Sequence, residues 1–257
     1  MDTINCERRG NIAILRNNNP PANTWTLESL IELKTIVSQV EQEKNIYALV
    51  LTGCGEKFFS AGADLNAFAD GSKTSASDMA TAFSQAFEAL SQFSGVTIAA
   101  INGYAMGGGL EAALACDIRI VEKHAKLALP EAKVGLLPCA GGTQNLTMLV
   151  GEGWAKRVIL CGETLDAERA LRIGLTEELV EKGESLSRAI QLADSVAGQS
   201  PVSVAACKRL IQAHRHTSHA HALVSERDEF LRLFDSKDQK EGVNAFLEKR
   251  QPHWAKD

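Results

Sequence analysis

The chain has 257 residues, of which 45% are hydrophobic and 23% are charged, and its formal net charge is −5 at pH 7. A chain of this length buries roughly 70–75% of its unfolded surface on folding, so its core requires neither disulfides nor a structural metal. The acidic balance argues weakly against a nucleic-acid-binding protein, although a local site can still hold an anionic small ligand.

The first elements in chain order are two strands, a helix and a third strand. The segments "TINCERR" and "NIAILR" read as strands separated by Gly10-Asn11, a hairpin turn signal. A helix is predicted for "LESLIELKTIVSQVEQEK", which has apolar residues at helical spacing, and Thr26 is its expected cap. The apolar run "YALVLTG" ends at a glycine and is typical of a buried parallel strand.

A long loop, "CGEKFFSAGADLNAFADGSKTSAS", is predicted next, and loops of this length are usually functional or mobile. A helix follows around residues 79–93, then the strand "VTIAAING", a helix inside "NGYAMGGGLEAALACD", and strands in "DIRIVEK" and "AKLAL". After the loop "PEAKVGLLPCAGGT" we predict helices at 144–150, 152–160 and 166–172 and a strand in "TEELV".

From residue 185 onward the pattern predicts only helices. Their expected ranges are 185–198, 201–216, 219–234 and 238–248. The alternation of strands and helices before this tail predicts an α/β body with parallel strands and right-handed crossovers. In the tail, amphipathic packing predicts that four apolar side chains face inward, namely Phe234, Val243, Phe246 and Leu247.

The stretch "NGYAMGGGLEAALACD" places one carboxylate, Glu111, among small apolar residues just behind three glycines. One interpretation is a dinucleotide-binding loop, since Gly107, Gly109 and Ala112 satisfy G-x-G-x-x-A and Glu122 could bind the ribose. Against this interpretation, a carboxylate in the first helical turn would repel a pyrophosphate bound at the helix N-terminus.

A second interpretation is an acid–base site beside an oxyanion hole. Glycines let main-chain N–H groups approach a ligand closely, and such groups stabilise a forming oxyanion. Glu111 would then serve as an acid or base, although a glutamate in a first turn can also simply favour the helix end by about 0.3–1 kcal/mol. The apolar surroundings favour the chemical interpretation.

Two further segments supply what such a site needs. The small residues of "FFSAGADL" offer a second exposed backbone donor. Glu131 offers a second carboxylate, in a loop whose backbone is restricted by Pro130 and Pro138. Taken alone, Glu131 would be interpreted as an ordinary turn or helix-start glutamate.

The order and spacing of "FFSAGADL", "NGYAMGGGLEAALACD" and "PEAKVGLLPCAGGTQNL" resemble the crotonase superfamily, and the sequence is similar to the enoyl-CoA hydratases and isomerases. The similarity continues through "GETLDAERALRIGLTEELV" and "KDQKEGVNAFLEKRQPHW". The resemblance implies an α/β fold, a ClpP-like spiral of ββα units over residues 1–197, and a helical trimerisation region over residues 198–257. In this family trimers commonly pair into hexamers.

The resemblance also implies roles for individual residues. The N–H groups of Ala63 and Gly108 would form the oxyanion hole, and Glu111 and Glu131 match the two catalytic glutamates of the hydratases. The residues expected to contact the substrate or its coenzyme A moiety are Ala61, Asp64, Leu65, Pro138 and Cys139.

The implied activity is hydration of a trans-2-enoyl-CoA, with an acyl-CoA as substrate and with no cofactor, metal, nucleic acid or membrane as partner. Two close carboxylates rarely ionise together, so one pKa should be raised, and either glutamate is a candidate to carry the proton. The nearest alternative is double-bond isomerisation or another reaction on the thioester enolate. A non-catalytic paralogue that acts as a scaffold or binds RNA is the alternative of another class, and the net charge and the two glutamates argue against it.

Two residues depart from the pattern of the hydratases. Cys139 stands where glycine is common, beside the expected acyl pocket, and it could alter chain-length preference. A nucleophilic role for Cys139 lacks an activating histidine in the matched motifs. Asn145 replaces a usual basic residue, which we interpret as a structural change.

Other polar residues remain without a firm role. The histidines of "HRHTSHAH" have mixed spacing, which predicts an exposed surface more than a metal site; they are His214, His216, His219 and His221. The lysines considered for the coenzyme A phosphates are Lys57, Lys237 and Lys249.

The cysteines and the N-terminal sequence indicate the cellular compartment. No C-x-x-C pair occurs, and several cysteines lie in apolar runs, which predicts reduced and mostly buried thiols; they are Cys6, Cys54, Cys116, Cys139, Cys161 and Cys207. The sequence "MDTINCERRG" has no apolar signal segment, and no run of about 18 apolar residues occurs. We therefore expect a cytoplasmic protein.

Overall fold

The structure is a computed structural model that describes residues 3–255. Its strands form two sheets, a larger one in the order β1-β2-β3-β5-β7-β10 and a smaller one in the order β4-β6-β8-β9. The strands are β1 (Ile4–Arg9), β2 (Ile12–Asn17), β3 (Ala48–Gly53), β4 (Phe58–Ser60), β5 (Val96–Ile101), β6 (Tyr104–Met106), β7 (Ile118–Glu122), β8 (Lys126–Ala128), β9 (Leu165–Asp166) and β10 (Glu178–Val180).

The α-helices are α1 (Leu27–Glu41), α2 (Lys73–Gln92), α3 (Gly108–Ala115), α4 (Gly142–Leu160), α5 (Ala167–Arg172), α6 (Ser185–Val196), α7 (Pro201–Ala213), α8 (His219–Arg232) and α9 (Lys237–Leu247). Short 3₁₀ helices occupy Leu65–Phe68, Glu131–Val134 and Leu233–Asp235. Within residues 3–255, none of these helices has the length and apolar character needed to cross a lipid bilayer.

The N-terminal elements form as the sequence predicts. β1 and β2 pair antiparallel around Gly10, whose φ of +58° suits glycine. The Thr26 side chain accepts a hydrogen bond from the Ser29 amide and the Ser29 side chain accepts one from the Thr26 amide, so α1 begins with a reciprocal cap. Every residue of β3 is buried, as its unbroken apolar run indicates.

Successive strands alternate between the two sheets, and this alternation produces the spiral. β3, β5 and β7 lie side by side and parallel in the larger sheet, while β4, β6 and β8 lie side by side and parallel in the smaller one. Each turn of the chain therefore adds one strand to each sheet and then a helix, which confirms the predicted fold class of ββα units.

The hydrophobic core lies on both faces of the larger sheet. Alternate residues of β2 point to opposite faces, with Ile12 and Ile14 packed towards α6 and Ala13 and Leu15 packed towards α1 and α2. The larger sheet is thus covered on both sides, as expected for mainly parallel strands.

The long loop predicted over residues 54–77 is shorter than expected. It contains β4 and a 3₁₀ helix, and α2 begins at Lys73 because the Ser72 side chain caps it by accepting from the Ser75 amide. β6 also follows β5 where no strand was predicted. The helices predicted at 144–150 and 152–160 form the single element α4, which is interrupted at Gly151 by a φ of +77°.

Two burial predictions were wrong. Only Cys116 among the six free cysteines is buried, and three are exposed, namely Cys139, Cys161 and Cys207. The tail side chains predicted to face inward are also exposed, because α9 buries Asp238 and Ala245 instead. Their exposed fractions are 51% for Phe234, 49% for Val243, 83% for Phe246 and 72% for Leu247.

Candidate active site

Three segments meet where parallel strands of the smaller sheet end. The chain passes from β4 into Ala61–Ala63, from β6 into Gly107-Gly108, and from β8 through Pro130 into Glu131. Because β4, β6 and β8 are parallel neighbours, their carboxyl ends lie at one edge of the sheet. The spiral therefore brings together three motifs that are far apart in sequence.

Glycines allow these segments to touch. A Cβ atom at Gly109 would lie 2.3 Å from the Ser60 carbonyl oxygen, and one at Gly62 would lie 2.7 Å from the Met106 carbonyl oxygen. Gly62 and Gly107 also have φ values of +95° and +52°, which side chains rarely tolerate. The glycines thus bring the loop after β4 into direct contact with the start of α3.

The two residues predicted to supply the oxyanion donors lie at the same cavity. Ala63 and Gly108 both line it. Neither N–H is among the amides that donate hydrogen bonds in the turns, loops and caps of residues 3–255, and an amide in a first helical turn has no partner within its helix. Both N–H groups are therefore available to a ligand.

Glu111 lies in the first turn of α3 and is only 2% exposed. Its Oε1 accepts hydrogen bonds from the amides of Ala140 (2.8 Å) and Gly142 (2.9 Å). Burial raises the pKa of Glu111, and these two amides oppose the rise because they favour the charged form.

Glu131 has a different environment. Neither of its buried carboxyl oxygens accepts a hydrogen bond from the described residues. A Cβ atom at Gly107 would lie 3.2 Å from its Oε1, so the carboxyl group lies over this glycine. Burial raises the pKa of Glu131 to about 7; the backbone amide of Glu131 itself opposes the rise, and the nearby charge of Glu111 adds to it. The protonated form of Glu131 is therefore populated near neutral pH.

The substitution Glu131→Gln is expected to change the pH dependence of stability. The unfolded chain releases this proton near pH 4.5, whereas the folded chain retains it up to about pH 7, so wild-type stability falls as the pH rises between these values. Glutamine cannot ionise, so the variant's Tm relative to wild type should be higher at about pH 8 than at about pH 4. Thermal unfolding at both values measures this difference, and an equal offset at both would contradict it.

The cavity enclosed by these groups has a volume of about 300 Å³. Seven of the nine residues predicted for the site line it, namely Ala61, Ala63, Leu65, Gly108, Glu111, Glu131 and Cys139. Asp64 and Pro138 do not. The Asp64 carboxylate accepts hydrogen bonds from the Asn66 amide and side chain at the start of a 3₁₀ helix, and Pro138 is buried behind the wall next to Gly142.

Sequence reasoning did not find several lining residues. The additional side chains that line the cavity are Phe68, Phe83, Pro130, Lys133, Val134, Leu136 and Leu137. Lys133, two positions after Glu131, is the one cationic residue in this described lining, and its position in the motif was a usable signal. Phe83 comes from the middle of α2, and nothing in its local sequence distinguishes it from an ordinary core residue.

The dinucleotide-loop interpretation and a metal site at the histidines do not fit this geometry. Glu122, the proposed ribose ligand, is buried and accepts hydrogen bonds from the amide and hydroxyl of Ser185. Within residues 3–255 there is no cluster of three or more His, Cys, Asp and Glu that could hold a metal, and the four histidines near the α7–α8 turn are exposed, as predicted.

The lysines considered for coenzyme A do not line the cavity. The Lys57 amine lies 5.2 Å from the centre of the Phe58 ring, and Lys237 and Lys249 belong to the C-terminal region around α9. Their assignment to the phosphates stays a prediction.

Comparison with known proteins agrees with the fold and the motifs described above. The family described as enoyl-CoA hydratase/isomerase matches residues 7–257. A short-chain-enoyl-CoA hydratase from Clostridium acetobutylicum is 35% identical over 251 residues, which cover 97% of this chain and 96% of that protein.

Solved structures agree with this. That of DspI from Pseudomonas aeruginosa superposes with a TM-score of 0.97 at 59% identity, covering 99% of this chain and 97% of that one. That of an enoyl-CoA hydratase from Bacillus anthracis superposes with a TM-score of 0.95 at 34% identity, covering 99% and 100%. With its fold and its motifs in agreement over nearly the whole length, the chain belongs to the enoyl-CoA hydratase/isomerase family of the crotonase superfamily.

Proposed function

We propose that this protein hydrates trans-2-enoyl-CoA thioesters to 3-hydroxyacyl-CoA, using Glu111 and Glu131 as its acid–base pair. The observation that carries the proposal is the unequal environment of the two carboxyl groups in one cavity. Two backbone amides donate to Glu111, whereas no other residue in the described part of the chain donates to the Glu131 carboxyl group, whose pKa is raised to about 7. Pairs of carboxyl groups whose environments separate their pKa values are typical of acid–base catalysis.

The amides of Ala63 and Gly108 would bind the thioester oxygen. When water adds to Cβ, negative charge moves onto this oxygen, so the two N–H groups bind the transition state more strongly than the substrate. The positive end of α3 adds to this effect, since Gly108 is its first residue.

The two glutamates would divide the proton transfers. Ionised Glu111 orients the water and takes its proton as the oxygen bonds to Cβ, and neutral Glu131 delivers its proton to Cα. One water molecule is consumed, and no oxidant or reductant is needed. Transfer of one proton from Glu111 to Glu131 then restores both groups to their starting states. The reaction is therefore balanced without a cofactor, and coenzyme A is part of the substrate.

The activity should fall as the pH rises through about 7. Glu131 has to be protonated to deliver its proton, and its raised pKa means that this form is lost above that value. A profile of kcat/KM against pH measures the effect. An alkaline limb that begins several pH units higher would assign the acid to another group.

Loss of the ultraviolet absorbance of an enoyl thioester on addition of pure protein tests the proposed function directly. Turnover of a 2-enoyl-CoA supports hydration. Activity on a 3-enoyl-CoA alone would make the protein an isomerase. If the protein neither binds nor converts an acyl-CoA of any chain length, a non-catalytic scaffold would be favoured.

Cys139 is expected to limit the size of the acyl group that the cavity accepts. Its side chain lines the cavity together with apolar residues of the segment 134–137, and the residue after it, Ala140, is fixed on Glu111 by a 2.8 Å hydrogen bond. Cys139→Gly should raise kcat/KM for longer or branched enoyl-CoAs relative to the shortest one, by roughly 10-fold, the effect of one or two methylene groups in an apolar pocket. An equal change for every substrate in a chain-length series would contradict this role.

We also propose that the chain assembles through the region 198–257 as trimers or hexamers in the cytoplasm. The support is apolar surface on α7 to α9, where Ile211, Phe246 and Leu247 are each more than 70% exposed, more than a monomer usually leaves in contact with water. Free cysteines fit a reducing compartment. Light scattering after size exclusion tests the assembly, for which three or six chains of 27.7 kDa are expected.

A further inference from the structure

Trp25 is a large, completely buried residue that lies next to both proposed oxyanion donors. It belongs to the segment between β2 and α1, just before the cap of α1, and its exposed fraction is 0%. The sequence motifs of the site do not include it, and it does not line the cavity.

The main chain of Trp25 holds the first donor segment. Its N–H donates to the Gly62 carbonyl oxygen at 2.8 Å, and its carbonyl oxygen accepts from the Asp64 amide at 2.9 Å. These two bonds form a parallel bridge that brackets Ala63. In such a bridge the N–H of the bracketed residue points away from the partner strand, so Trp25 determines the direction of the Ala63 amide.

The side chain of Trp25 packs against the second donor segment. Its Cδ1 atom would lie 3.5 Å from a Cβ atom at Gly108, in van der Waals range. The ring is itself held edge to face by Phe87 at 5.7 Å between centroids, and Phe87 contacts Phe83 at 5.5 Å in the same manner. Phe83 also lies against Gly108, so this aromatic group supports the backbone of Gly108 from behind.

The indole N–H of Trp25 is buried and has no hydrogen-bond partner among the described residues. A buried donor without a partner is unfavourable, and leucine or phenylalanine would avoid it. The polar atom contributes nothing visible at this position, so what the tryptophan supplies is the size and shape of its ring.

We propose that Trp25 is a positioning residue that sets the spacing between the Ala63 and Gly108 amides. Its main chain fixes one donor and its ring supports the other, so one residue spans both halves of the oxyanion hole. The inference rests on the proposed function, because it concerns the groups that would bind the thioester oxygen.

The test uses Trp25→Leu and Trp25→Phe in the full-length protein. Infrared difference spectroscopy of bound hexanoyl-CoA, isotope-labelled at its carbonyl, reports hydrogen bonding at this oxygen without requiring turnover. The wild-type protein should lower the carbonyl stretching frequency relative to free ligand. Trp25→Leu should lose at least half of this shift and lower kcat by about 10–100-fold, the scale of a small displacement of catalytic groups, with KM changed less than about threefold.

Trp25→Phe keeps an aromatic ring, so its carbonyl shift and kcat should fall between those of the wild type and Trp25→Leu, and it carries the test if the leucine variant does not fold. The matched control is Trp154→Leu on α4. Trp154 stacks with Arg157 and Arg169, outside the cavity lining, so this variant should retain the wild-type carbonyl frequency and kcat.

Two results would overturn the inference while leaving the hydratase assignment intact. One is a wild-type carbonyl frequency and kcat in folded Trp25→Leu and Trp25→Phe. The other is an equal loss of both quantities in the Trp154 control, which would show a general effect of destabilisation. If the wild-type protein binds hexanoyl-CoA without any shift of the carbonyl frequency, the proposed oxyanion hole would be refuted, and the inference about Trp25 with it.

Discussion

Replacing Glu111 with glutamine should lower the kcat for enoyl-CoA hydration by roughly 10²–10⁴-fold, the usual contribution of a positioned acid or base. Glutamine retains the size of the side chain and an oxygen that the Ala140 and Gly142 amides can still donate to. It cannot take a proton from water. The loss should therefore appear in kcat, whereas the affinity for a saturated acyl-CoA should change little.

Glu131→Gln should lower kcat on the same scale for the opposite reason, since the amide cannot release a proton to Cα. The two variants should differ in their remaining activity, because only Glu131→Gln removes the group whose pKa is about 7 and with it the alkaline limb of the pH profile. Glu152→Gln, on the exposed face of α4, is the matched control. Near-normal turnover in either folded variant would refute the assignment of that glutamate.

The unequal environments of these glutamates follow from where each one enters the cavity. Glu111 is presented by α3, and its carboxylate accepts hydrogen bonds from the Ala140 and Gly142 amides, which favour its charged form. Glu131 is presented by a short 3₁₀ helix and lies over Gly107, where no other residue in the described part of the chain donates a hydrogen bond to it. Neither difference is a property of the glutamates themselves.

The residues alone predicted the parallel α/β body and the site motifs, whereas the spiral of ββα units came from the resemblance, since β4 and β6 were not predicted as strands. β3 reads as a buried parallel strand because it is an unbroken apolar run, and α1 is bounded by a recognisable cap at Thr26. The three site motifs were found from glycines and carboxylates in apolar surroundings. Their convergence followed from the resemblance and then from the parallel order of β4, β6 and β8.

The difference between the environments of the two glutamates could not be predicted from the sequence. It depends on the hydrogen bonds from Ala140 and Gly142 to Glu111, and these depend on the path of a loop about 30 residues further along the chain. The positions of Phe83 and Trp25 beside the site could not be predicted from the sequence for a similar reason. Large apolar residues in a helix or before a helix cap are most often core residues, and only the fold shows what lies on their other side.

The tail of the chain shows a different limit, since its helical spacing was predicted correctly but the inward packing of its apolar face was not. Helical spacing in α9 does place Phe246 and Val243 on one stripe, but in the folded chain this stripe faces solvent. Amphipathic spacing predicts that a face will be covered; it does not say whether the cover belongs to the same chain.

Gly142→Ala should be nearly as damaging as removal of a catalytic carboxylate, although it changes no chemical group of the reaction. A Cβ atom at this position would lie 2.8 Å from the Glu111 Oε1 atom and 2.8 Å from the Pro138 Cβ atom. The Pro138 ring is buried and cannot move aside easily, so the Glu111 carboxylate has to shift and lose the Gly142 hydrogen bond. A displacement of about 1 Å in a catalytic group can cost 10²-fold, and we expect a fall in kcat of at least that size.

Gly153→Ala, in the same helix, separates this effect from a general intolerance of α4 to substitution. Nothing lies within 4 Å of a Cβ atom at Gly153, and alanine favours a helix over glycine by about 0.5–1 kcal/mol, so this variant should be fully active and no less stable. The affinity of Gly142→Ala for a saturated acyl-CoA should also stay near that of the wild type, because the oxyanion donors come from other segments. If Gly142→Ala retains full turnover, the Gly142 amide is not needed to hold Glu111 in its working position, and the assignment of Glu111 as the base would rest on Glu111→Gln alone.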